Sequence, residues 1–95
     1  MGLQVFRLYV TAASPISARA IVNARRFMAL RLPGEHVLEI LDIAGHVQHA
    51  MADQVIASPT LVRVTPAPTR RIIGDLSDVV MLETSLGISS AEDLS

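Results

Sequence analysis

A chain of 95 residues fits one domain, and folding at this size buries roughly 60 to 68% of the surface an unfolded chain exposes, so one modest core is expected. Apolar residues make up 51% of the chain and aromatic residues 3%, which leaves Val, Ile, Leu, Ala and Met to build that core. The lack of cysteine excludes disulfides, thiolate metal sites, thiol nucleophiles and dithiol redox chemistry, and a formal net charge of −1 offers no overall positive field to nucleic acid.

Leu3 to Thr11 alternates Phe6, Leu8 and Val10 on one face with Val5, Arg7 and Tyr9 on the other, which predicts a strand in a sheet interior. Ser14 supplies an N-cap oxygen and Pro15 suits a first helical position, where its missing N–H is not needed. A helix should follow from Pro15 to about Arg31, with Ile16, Ala20, Ile21, Ala24, Phe27 and Met28 on its inner face and Arg19, Asn23 and Arg26 on another. Pro33-Gly34 ends it.

His36 to Ile43 reads as a second strand, and the strand-helix-strand unit favours parallel pairing with a right-handed crossover. Gly45 to Val55 is a weaker helix signal whose shared face is Val47, Ala50, Met51 and Val55. Thr60 to Val64 and Arg70 to Ile73 read as an antiparallel pair, joined by a segment whose prolines, Pro66 and Pro68, force an irregular connection. Asp75 and Ser77 are candidate caps for a last helix with apolar contacts from Leu76, Val79, Val80, Leu82 and Leu86, stopped by Gly87. The domain is expected over residues 1–88, with 89–95 a polar, frayed tail.

No apolar run approaches the roughly 20 residues that cross a bilayer. Met1-Gly2-Leu3-Gln4 leads straight into the first strand without a basic signal region, so an untargeted cytoplasmic protein is expected. Charge is unevenly spread. Thr60 to Gly74 holds Arg63, Arg70 and Arg71 with no acid, whereas Asp75 to Ser95 holds five acids and no base.

The order β-α-β-α-β-β-α is that of a thioredoxin-like α/β sheet with helices on both faces. Ala57-Ser58-Pro59-Thr60-Leu61-Val62 resembles the turn of that fold in which a proline, often cis, precedes the third strand. The run Pro66-Ala67-Pro68-Thr69-Arg70-Arg71-Ile72-Ile73-Gly74-Asp75-Leu76-Ser77 closely resembles the signature of the KaiB family. Leu8-Tyr9-Val10, Ser14-Pro15, Arg19-Ala20 and Asp42 support the match, which covers residues 4–78. The resemblance implies a non-enzymatic clock protein without cofactor that binds a KaiC-type ATPase. It also implies a metamorphic alternative, a ground-state fold that keeps the N-terminal βαβ half, rebuilds the C-terminal half and self-associates as a dimer or tetramer. Two departures stand out. Val79-Val80-Met81 replaces the charged segment usual after Gly-Asp-Leu-Ser, and Glu39 stands where the family commonly has a basic residue, which implies a KaiA-independent paralogue.

Arg63, Arg70 and Arg71 on adjacent strands could present guanidinium groups from one sheet edge to an acidic partner, with Arg19 a further contact. Ser58, Pro59, Gly74 and Asp75 define the turns around them. Arg7 and Tyr9 read as a sheet edge where long side chains snorkel to water, the alternative being a functional polar spot. His36, His46 and His49 lack a carboxylate partner for a metal site, and Ser14 and Ser17 lack a base, so neither a metal nor a catalytic residue is assigned. Two rivals remain open: an adaptor or sensor that binds a signalling histidine kinase, since a KaiB-like domain serves as input module in clock kinases, and a cysteine-free thioredoxin-fold transferase.

Overall fold

The computed structural model describes residues 2–88, and the expected tail at 89–95 lies outside them. Its strands are β1 (Gln4–Val10), β2 (His36–Asp42), β3 (Thr60–Thr65) and β4 (Arg70–Ile73), and its helices are α1 (Pro15–Arg31), α2 (Val47–Ala52) and α3 (Val79–Leu86), with a 3₁₀ turn at Ile43–Gly45. The sheet runs in the order β2-β1-β3-β4. β1 and β2 are parallel, paired Gln4 with His36 through Val10 with Asp42, while β1–β3 and β3–β4 are antiparallel.

The start of α1 follows from its cap. Ser14 is extended at φ −88°, its hydroxyl accepts from the Ser17 amide, and Pro15 opens the helix. Beyond Leu32 the chain turns through Gly34 at φ 70°, a left-handed conformation that glycine adopts without a Cβ penalty.

The alternation read from β1 sorts the core into two layers. Phe6, Leu8 and Val10 pack with Ala20, Ala24, Phe27 and Met28 of α1, with Leu61 and Ile72 of the sheet, and with Leu82 and Leu86 of α3. Tyr9 and Val62 point the other way and meet Ala50 of α2. Full burial of a side chain such as Leu8 or Phe6 contributes about 1.5 to 3 kcal/mol, so the α1/α3 layer dominates stability and the α2 layer is thin. Arg31 Nε donates to Glu83 Oε2 at 3.0 Å, tying α1 to α3, and its guanidinium lies 5.7 Å from the centre of the Phe27 ring.

Four expectations are corrected. α2 spans six residues rather than Gly45 to Val55, because Ile43–Gly45 winds as 3₁₀ and Gln54 takes φ 57° just past the helix. Of its expected inner face only Ala50 is buried; Val47 and Met51 face solvent. α3 begins at Val79 and is capped by Asp78, whose Oδ1 accepts from the Met81 amide, rather than by Asp75 or Ser77. Leu76, buried and at φ 65°, turns the chain there, and Asp75 Oδ1 instead accepts from the Ser77 amide within that turn. Val80 is exposed rather than packed, and Gly87 ends the helix at φ 66° as expected.

Candidate docking surface

The three arginines expected on one edge take three different environments. β-Strand alternation places Arg70 opposite Arg63 and Arg71 opposite Val62, so Arg70 and Arg71 leave opposite faces of β4. Arg63 is buried, 7% exposed, and its Nη1 donates to the Leu86 carbonyl at 2.7 Å, at the end of α3. A second, longer contact of 3.4 Å reaches the Pro68 carbonyl. Arg63 therefore joins β3 to the α3 terminus and is not a group presented to a partner. Arg70 and Arg71 are exposed on β4, an edge strand.

Arg71 is held in place at one atom. Its Nε donates to the Asp53 carbonyl at 2.6 Å, which brings β4 beside the loop that follows α2. The Asp53 carboxylate accepts from Arg7 Nη1 at 3.0 and 3.3 Å and from the Tyr9 hydroxyl at 2.5 Å. Arg7 also lies 3.5 Å from Glu39 across the β1–β2 pair. Arg7 and Tyr9 are therefore not at a sheet edge: β1 has neighbours on both sides, and Tyr9 is fully buried. Burial first, then the bond to Asp53, pushes the Tyr9 hydroxyl up to about 12, and Asp53 raises Arg7 above its ordinary value.

A pH dependence follows. The folded pKa of Tyr9 lies above the unfolded value of 10, so its contribution is complete below pH 10 and is lost as pH rises through 12. Urea-unfolding free energies should be level with respect to this group up to pH 10 and then fall by about 2 to 3 kcal/mol. Tyr9→Phe should flatten that alkaline fall, and an equal fall in both proteins would refute the assignment.

The turn residues and Arg19 converge at the opposite end of β4 from its proline loop. Ser58–Pro59 is a cis peptide, and the Pro59 carbonyl accepts from the Gly74 amide at 3.0 Å. Gly74 sits at φ 124°, a conformation closed to residues with a Cβ. Thr11 Oγ1 donates to Ser58 Oγ at 2.9 Å. Arg19 Nε lies 3.6 Å from Asp75 Oδ2, and Asn23 Nδ2 donates to the Asp75 carbonyl at 2.8 Å. The Ser77 hydroxyl and amide, with Arg19 beside them, hold the Asp75 carboxyl below its ordinary value. Arg19 thus braces the β4–α3 turn against α1, though its side chain stays half in solvent.

Beside this turn a shallow depression is lined by Thr11, Ala12, Ala13, Ser14 and Pro15. Redox thioredoxins carry their cysteines in this segment; here its serines are committed to structure. Ser14 Oγ accepts from the Ser17 amide, and the buried Ser17 Oγ accepts from the Thr11 amide at 3.1 Å.

The KaiB domain model matches residues 7–88. The chain belongs to the KaiB family. It is 39% identical over 74 residues to the circadian clock oscillator protein KaiB of Synechococcus elongatus, covering 78% of this chain and 72% of that one. A KaiB from Prochlorococcus marinus is 40% identical over 74 residues, covering 78% of this chain and 62% of that one. Among solved structures, the N-terminal domain of Synechococcus elongatus SasA superposes with a TM-score of 0.72 at 20% identity, over 92% of this chain and 86% of that one. Mitochondrial thioredoxin 3 from Saccharomyces cerevisiae does so with a TM-score of 0.72 at 14% identity, over 92% and 79%. The fold of the described residues is therefore thioredoxin-like. No helix among them is long and apolar enough to cross a membrane.

Sequence reasoning missed Asp53 and Ile56. Asp53 is the one acid between Ile43 and Gly74, a signal that could have marked it as a partner for the arginines. Ile56, one residue past the segment read as the second helix, is 90% exposed.

Proposed function

We propose that this KaiB-family protein acts by binding, not catalysis, and docks a KaiC-type ATPase through β4 and the turns at its end. The observation that carries the reading is the placement of Arg70 and Arg71 on a short edge strand, both exposed and neither within ion-pair distance of an acid among the described residues. A guanidinium without an acid beside it suits contact with a partner's carboxylates, and Arg71, bonded through Nε to the Asp53 carbonyl, keeps its terminal nitrogens for that contact. By binding one conformational state of the ATPase better than another, the protein would shift its activity. Glu39, an acid on β2 that lies 3.5 Å from Arg7 of β1, supports a reading in which KaiA is not recruited.

A pull-down against a purified KaiC-type ATPase with ATP present tests the reading. Wild type should be captured, and Arg70→Glu and Arg71→Glu, each checked for an unchanged thermal midpoint, should lose about tenfold or more in affinity. If folded wild type is not retained, the ATPase reading fails. Capture by a histidine kinase instead would favour the adaptor reading.

A further inference from the structure

The exposed apolar residues are not scattered evenly. Ile56 is 90% exposed, Met51 71% and Ile73 54%, and all three lie on the α2 side of the sheet. Single exposed apolar side chains are ordinary, but several together with a charged neighbour mark an interaction site. Their proximity is fixed by bonds. Thr60, the register partner of Ile73, donates its hydroxyl to the carbonyl of Ala57, next to Ile56, at 2.6 Å. Arg71, two residues from Ile73 and on the same face of β4, is bonded to the Asp53 carbonyl three residues before Ile56. Met51 is exposed on α2, two residues before Asp53.

The cation beside this strip is Arg71, since Arg70 leaves the opposite face of β4 and Arg63 is turned to the end of α3. Between Ile43 and Gly74 the chain carries three arginines and a single acid, Asp53, whose carboxylate is already engaged by Arg7 and Tyr9. No carboxylate from this stretch is therefore left to face a partner, while Arg71 keeps its terminal nitrogens for one.

We infer that Ile56, Met51 and Ile73 form the apolar half of the docking surface, with Arg71 as its cationic rim, and that the partner's matching surface is an apolar residue or cluster ringed by Asp and Glu. An apolar centre supplies affinity by excluding water, and the carboxylate ring supplies orientation and on-rate through Arg71. Asp53 is a positioning residue here: with its side chain pinned to β1 and its carbonyl to Arg71, it keeps the Ile56 loop and β4 side by side. The inference rests on the docking reading above and adds the partner's chemistry to it.

Binding of the full chain to an immobilised KaiC-type ATPase, with ATP, at low and high salt, tests it. Ile56 touches solvent over most of its surface, so Ile56→Asp should fold normally yet weaken binding about tenfold or more. Leu30→Asp, at a site 63% exposed on α1 across the sheet, should leave binding unchanged. Wild type should weaken with added salt, and Arg71→Glu should lose most of that salt dependence. Wild-type binding that survives Ile56→Asp, or that Leu30→Asp weakens equally, overturns the apolar strip and leaves the arginine reading standing. Salt-independent wild-type binding overturns the carboxylate ring. Absence of wild-type binding overturns both the strip and the ATPase reading.

Discussion

Asp53→Ala is expected to destabilise the protein by about 3 kcal/mol, the penalty for leaving a part-buried guanidinium and a buried hydroxyl without their shared acceptor. Tyr9 is fully buried and its hydroxyl has Asp53 as its partner, so removal of the carboxylate leaves a donor that water reaches poorly. Arg7 keeps only the more exposed Glu39, at 3.5 Å. The backbone carbonyl that receives Arg71 survives the substitution, so β4 should stay paired while α2 loosens, with Ala50 its one buried residue.

Asp53→Asn should cost less, since its amide oxygen still accepts from Tyr9 while the charge that answers Arg7 is gone. In a domain of this size each kcal/mol lowers the thermal midpoint by about 4 to 8 °C, so the alanine variant should melt at least 10 °C below wild type, roughly. Amide exchange should rise first in residues of α2. A change under about 0.5 kcal/mol, the range of ordinary surface substitutions, would show that the network contributes no net stability.

The reach of the sequence differed by the range of the forces involved. Ser14-Pro15 and Gly87 act on their own neighbours, and the ends they predict for α1 and α3 are the ends observed. The alternation in β1 separates the two faces of the sheet and places Phe6, Leu8 and Val10 in one core layer, but it reads the Tyr9 face as an edge open to water, where the structure buries Tyr9. Periodicity in α2 was less informative, because it reports which residues share a face and not what covers that face. Val47, Ala50 and Met51 do recur helically, yet only Ala50 meets the sheet.

The arginines show the limit more sharply. Their clustering in sequence suggested one cationic edge, but strand alternation separates Arg70 from Arg71, and the acceptor that buries Arg63 lies 23 residues away at the end of α3. Asp53 likewise meets Arg7 and Tyr9 across more than 40 residues. Nothing local encodes such pairings. The KaiB-family signature around Gly74-Asp75 marked the region, and the structure decides which of its side chains are free.

Arg63→Ala is expected to destabilise the fold by about 3 kcal/mol, through loss of the buried stem and of the bond to the Leu86 carbonyl. That carbonyl belongs to the last turn of α3, which has no intrahelical donor and gains from a cation nearby. Two effects oppose the loss. Arg63 Nε is buried without a partner among the described residues, and burial of the charge itself is costly, so removal of the guanidinium relieves both. Arg63→Met separates the contributions, since it keeps most of the volume while removing donors and charge. It should cost about 1 to 2 kcal/mol, less than alanine by the packing of the stem. If Arg63 acts only inside the fold, both variants should bind the ATPase like wild type below their melting transitions, whereas Arg70→Glu should not. Loss of binding in folded Arg63→Met, with stability near that of wild type, would reverse the assignment and return Arg63 to the docking surface.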